Sequence, residues 1–106
     1  MNNRPVLTTF KKPGLHWVGD GFLTQTMLPY QQHAHDTSPF LIAGYNPAMW
    51  FEATNKPKGV GMHPHRGFET VTIVYQGGVE HGDTMGNRGA IGPGDVQWMT
   101  AARGVQ

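Results

Sequence analysis

The sequence contains no cysteine. Disulfide scaffolds, thiolate metal sites and thiol nucleophiles are excluded together, and any metal site must be built from His, carboxylate and water. Charge is scarce as well. Charged residues make up 14% of the chain, eight basic against seven acidic, for a formal net charge of +1. Nucleic-acid binders concentrate Lys and Arg on one face, because neutralising phosphates drives their affinity. The nearest approach here is Lys56 with Lys58, which reads as part of a solvated loop, so direct DNA or RNA binding is not expected. Long apolar runs are missing too. No stretch approaches the length of a membrane span, and Met1-Asn2-Asn3-Arg4-Pro5 leads into no apolar segment, so the cytoplasm is the expected compartment.

Glycine and proline, by contrast, are plentiful, with 15 and 8 among 106 residues. Both interrupt helices, so the composition points to a loop-rich β domain. The length fits one domain, and an apolar content of 38% is too high for a disordered chain and too low for a membrane protein. Short strands are expected around Val6-Leu7, Leu15 and Trp17-Val18, over 21–28, and at the apolar run Phe40-Leu41-Ile42-Ala43. Residues 29–39 read as a polar loop, and 46–60 as another, with Trp50 and Phe51 as anchors. Val79 to Asp83 and Val96 to Met99 read as further strands, separated by turns at Met85-Gly86-Asn87-Arg88-Gly89 and Gly92-Pro93-Gly94-Asp95. Short strands with Gly/Pro turns between them suggest a sandwich or small barrel rather than βαβ units.

Residues 61–75 carry the most information. If the segment stays extended, His63, His65 and Glu69 share a face with Val71 and Ile73, since alternate side chains of a strand point the same way. The apolar pair marks that face as interior. Neutral imidazole is the commonest metal ligand, and i, i+2 spacing on a strand lets two rings converge on one ion. A bare H-x-H pair is also what two surface or hydrogen-bonded histidines look like, and Glu69 has three readings here: ligand, base, or an acid behind the ligands. His33-Ala34-His35 repeats the spacing in a polar loop without an apolar phase and is the weaker candidate. His81 reads as a hydrogen-bonded histidine at a strand end in preference to a residue near the pocket, and His16 as peripheral. Arg66 reads as the partner of a surface carboxylate or of an anionic substrate, Trp98 and Met99 as core, and Asp95 as a turn residue.

The run Gly61-Met62-His63-Pro64-His65-Arg66-Gly67-Phe68-Glu69-Thr70-Val71-Thr72 resembles the signature of the pirin family, within the cupin superfamily. The likeness continues through Gly86-Asn87-Arg88-Gly89 and Ile91-Gly92-Pro93-Gly94-Asp95-Val96-Gln97-Trp98-Met99-Thr100-Ala101, and Ser38-Pro39-Phe40 fits upstream. It is dense over 61–104 and looser over 38–60. It departs from the family at Gly44-Tyr45, where Asp-His is common, and at Gly82, where a larger or charged residue is usual.

The resemblance implies an all-β, cupin-type double-stranded β-helix, a jelly-roll-like barrel, holding Fe(II) or another divalent transition metal. The family's ligands are three His and one Glu, and His63 and His65 match the first two. The other pair lies just beyond the Arg-Gly that matches Arg103-Gly104. The chain is therefore expected to be a single partial N-terminal domain over 1–106, without the second cupin domain, with an incomplete barrel and a weakly held metal. Three functions follow from the resemblance. The first is a flavonol (quercetin) 2,3-dioxygenase-type oxygenase, with metal on His63 and His65 and Glu69 as the catalytic acid/base. The second is a metal- or redox-responsive binding or regulatory module, and the third an inactive partial form. An unclosed barrel leaves strand edges open, so self-association is the expected partnership.

Overall fold

The computed structural model describes residues 3–28 and 30–106, and of residues 30–33 the backbone alone. The chain divides into two compact units, residues 1–60 and 61–106.

In the first unit, β1 (His16–Val18) and β2 (Phe22–Thr26) form an antiparallel hairpin with Trp17 opposite Leu23. Its turn rests on a glycine that no other residue can replace without strain. Gly19 has φ of +61°, and a Cβ there would collide with the Gly59 carbonyl. Asp20 fastens the same approach, its backbone N donating to Gly59 O (3.0 Å) and its Oδ1 accepting from Gly59 N (2.8 Å). On its other edge β2 pairs with β3 (Gly44–Tyr45).

Between them in sequence lies α1 (Tyr30–Thr37), so residues 30–37 of the expected loop over 29–39 are helical and Ser38-Pro39 form a turn. Gln31, Gln32 and Ala34 tolerate helix well, and Pro39 stops it. His33 and His35 thus sit two apart on a helix, positions that do not face each other, which removes the backbone basis for a second H-x-H site. Phe40-Leu41-Ile42 is not the expected buried strand, for all three side chains are exposed and pairing begins only at Gly44. Trp50 is 91% exposed and anchors nothing, whereas Phe51 carries the Lys58 ammonium 5.4 Å from its ring centroid.

In the second unit, β4 (Glu69–Ile73) pairs antiparallel with β7 (Val96–Thr100), placing Glu69 opposite Thr100 and Val71 opposite Trp98. The hairpin β5 (Val79–Gly82) and β6 (Arg88–Ile91) places His81 opposite Gly89. Asp95 closes the turn before β7 as expected, with Oδ2 accepting from Gly92 N at 2.9 Å. Val74, Ala101 and Val105 are the buried apolar side chains. Val74 and Ala101 continue the Thr70, Thr72, Gln97, Met99 side of the β4–β7 ladder, and Val105 lies beyond the turn that follows β7. The opposite side carries Val71, Ile73, Val96 and Trp98, all exposed. The expectation that Val71, Ile73 and Trp98 line the interior is corrected accordingly. That face is apolar in sequence, yet among the described residues of this unit no second layer covers it.

The framework is strand-rich, as expected, and among the described residues its sheets have three, two and two strands, with no closed barrel. No helix among the described residues is long and apolar enough to cross a membrane.

Candidate metal centre

The segment that bears the histidines is a loop, not a continuous strand. Gly67, at φ +77°, breaks the extended run before β4 begins at Glu69. The alternation that put both imidazoles and Glu69 in one phase is therefore interrupted between them. The loop is held instead by the segment after β7. His65 and Val105 form an isolated antiparallel bridge, His65 N to Val105 O at 2.8 Å and Val105 N to His65 O at 3.0 Å. Gly67 N donates to Ala102 O at 2.8 Å, and Ala101 N to Phe68 O at 3.1 Å.

On this loop the rings of His63 and His65 lie side by side, with centroids 4.7 Å apart and planes at 82°. The His65 ring also meets Phe68 edge-on at 5.5 Å. His63 Nδ1 lies 2.7 Å from the Gly61 carbonyl oxygen. A carbonyl only accepts, so Nδ1 carries the hydrogen and the neutral ring keeps its lone pair on Nε2. Tying one ring nitrogen to a backbone carbonyl is how metal-ligating histidines fix their tautomer and orientation. Burial, and secondarily the charge of neighbouring His63, holds the His65 pKa below its ordinary value. The neutral form, the one that ligates, is thereby favoured. His63 is exposed and His65 half-buried, so the pair is reachable from solvent.

The donor chemistry suits a divalent transition metal as a pair of ligands and no more. Among the described residues, no group of three or more His, Cys, Asp or Glu could hold a metal ion. Glu69 is engaged on its own sheet: Trp98 Nε1 donates to its Oε2 at 2.9 Å and Thr100 Oγ1 to its Oε1 at 3.1 Å. Trp98 was read from sequence as core, and its role as a donor to Glu69 was missed. The signal needed was the β4–β7 register, which sets residue 69 opposite 100 and diagonal to 98.

Two open clefts lie in this unit. One, of about 310 Å³, is lined by Pro64, His65, Arg66, Thr84, Gly104 and Val105, among others. The larger, about 500 Å³, includes His81, Asp83, Gln97, Met99, Ala101 and Arg103 in its lining. His81 thus lines a cleft, the less favoured of its two readings from sequence. Asp83 is held below its ordinary pKa chiefly by the Asn87 side-chain amide, and further by the Asn87 and Met85 backbone N–H groups and the charge of His81. His16 lies exposed on β1, in the first unit.

A solved structure shares this fold. The crystal structure of quercetin 2,3-dioxygenase from Acinetobacter baumannii matches 93% of the chain with a TM-score of 0.88 at 49% identity, the match covering 34% of that protein. Strands in this order, superposing on that enzyme, define a cupin-type fold. The Pirin family profile matches residues 21–106, and the chain belongs to that family. The match begins well upstream of the dense motif region at 61–104. A Pseudomonas aeruginosa protein provisionally named quercetin 2,3-dioxygenase is 52% identical over 102 residues, covering 96% of this chain and 36% of that protein. Mouse pirin is 55% identical over 51 residues, covering 47% of this chain and 18% of its own length. The chain spans about a third of the length of the two relatives that it matches along nearly all of its own.

Proposed function

We propose that this chain carries the two-imidazole part of the metal centre of a quercetin 2,3-dioxygenase-like pirin, with Fe(II) or another divalent transition metal held by His63 and His65. One observation carries the reading: two adjacent rings, one with its Nδ1 hydrogen committed to the Gly61 carbonyl and its Nε2 lone pair left free. A metal bound there would supply Lewis acidity toward the adjacent oxygens of a flavonol. The names of the Acinetobacter and Pseudomonas relatives support a flavonol as the substrate class.

In this proposal Glu69 is the catalytic carboxylate that accepts the substrate's hydroxyl proton. Its two oxygens each accept one hydrogen bond, leaving lone pairs for a further donor. It shares its sheet face with Val71 and Trp98, an apolar surface suited to a flat aromatic ring. With two protein ligands the remaining metal positions fall to water, so the metal is held weakly. A cytoplasmic location belongs to the same proposal.

The exposed apolar face favours a second reading, a binding module whose partner covers Val71, Ile73 and Trp98. Oxygen uptake separates the two. Metal-loaded protein given quercetin should consume oxygen, and the His63→Ala/His65→Ala protein should not. No uptake, while the full-length Acinetobacter enzyme turns over beside it, would remove the oxygenase reading for this chain.

A further inference from the structure

We propose that Thr84, at the tip of the β5–β6 hairpin, is a positioning residue for the His63–His65 pair, acting through the segment 104–106. The inference rests on the metal-centre reading above.

His65 lies outside any regular strand, and its own bridge joins it to Val105 alone. A single bridge on an exposed loop opens easily unless its other side is held. Thr84 supplies that other side. Its backbone N donates to Gln106 O at 2.8 Å, and its Oγ1 accepts from Gln106 N at 3.2 Å. The hydroxyl thus stands where a neighbouring strand's carbonyl would, and the segment 104–106 is bonded to His65 on one side and Thr84 on the other. Beneath it, Val105 is buried.

Thr84 is itself fixed by its loop. Asp83 Oδ1 accepts from Met85 N (2.8 Å) and Asn87 N (3.0 Å), Oδ2 from Asn87 Nδ2 (2.8 Å), and Asp83 N donates to Asn87 O (3.0 Å). These four bonds to Asp83 groups fix the loop that bears Thr84, a residue that shares the smaller cleft with His65. Ligand geometry must be held to about half an ångström for a metal site to function, and this rail is what holds the backbone beneath His65. Neither Asp83 nor Thr84 is close to a ligand in sequence, and no residue-type motif marks them.

The test uses Co²⁺ as the probe, titrated into wild-type, Thr84→Val, Thr84→Ser and Asn87→Ala proteins, with amide hydrogen exchange read at His65 and Val105. Valine keeps the shape and the backbone donor but removes the hydroxyl acceptor. Thr84→Val should weaken Co²⁺ binding about tenfold and speed exchange at both amides, and Thr84→Ser should restore both. Asn87→Ala loosens the loop while leaving Thr84 in place, and should move both readouts in the same direction by less. It carries the test if Thr84→Val does not fold. Wild-type affinity together with wild-type exchange in Thr84→Val would overturn the proposal. If wild-type protein binds no Co²⁺, the metal reading fails, and exchange at His65 alone decides whether the rail exists.

Discussion

One hydrogen atom determines what His63 can do. With Nδ1–H given to the Gly61 carbonyl, the ring presents Nε2 as a σ-donor in a fixed direction. His65 reaches the same competence by another route, since its partial burial disfavours the imidazolium. Glu69 is different, because its carboxylate is a strut between Trp98 and Thr100 before it is anything else. Glu69→Gln separates the strut from the base. The amide oxygen still accepts from the indole and the amide nitrogen can donate to the Thr100 hydroxyl, so urea unfolding should change by no more than about 0.5 kcal/mol. Proton acceptance is lost, so quercetin-dependent oxygen uptake should fall about a hundredfold or more. Undiminished uptake would leave Glu69 a purely structural residue.

The β1–β2 hairpin depends on the closeness of its turn to residues 58–60. Gly19→Ala places a methyl against the Gly59 carbonyl and forces a non-glycine residue to φ near +61°. The left-handed conformation alone costs about 1–2 kcal/mol, so the total loss by thermal or urea unfolding should exceed about 2 kcal/mol. A loss below about 0.5 kcal/mol would mean that the turn does not sit against Gly59. Which elements the sequence revealed follows from similar local physics. The β5–β6 hairpin around Asn87 and the turn at Gly94 were legible because Gly and Asn punctuate them, and β5 and β7 because they lie beside such turns. Helix α1 was hidden, since Gln, His and Asp carry no apolar period. Phe40-Leu41-Ile42 misled for the opposite reason: an apolar run suggests burial, but burial needs a partner layer. The histidine pair was readable from spacing, but its phase with Glu69 was not, because one positive-φ glycine at 67 resets the alternation. The bridge from His65 to Val105 joins residues forty apart and leaves no local trace.

Across the molecule the balance between buried and exposed apolar surface is unusual. Three apolar side chains are buried among the described residues, while Val71, Ile73, Val96 and Trp98 stand open beside strands that each have one ladder partner. Open edges and an apolar face favour pairing with another chain. Light scattering should therefore give a mass that rises with concentration above that of the 11.7 kDa chain, and Trp98→Lys should lower it. A strictly monomeric mass over the whole range would contradict this expectation. The central claim is that two imidazoles on the 61–68 loop form a metal-ligating pair. It is tested most directly by elemental analysis and Co²⁺ titration of wild-type and His63→Ala/His65→Ala proteins at several pH values. Wild type should bind one metal weakly at neutral pH. Affinity should be retained down to the ordinary histidine value, about 6.5, and be lost as pH falls through the lowered pKa of His65, because imidazolium cannot ligate. The double variant should bind none, whereas equal metal content in the two proteins, or affinity indifferent to pH, would contradict the account.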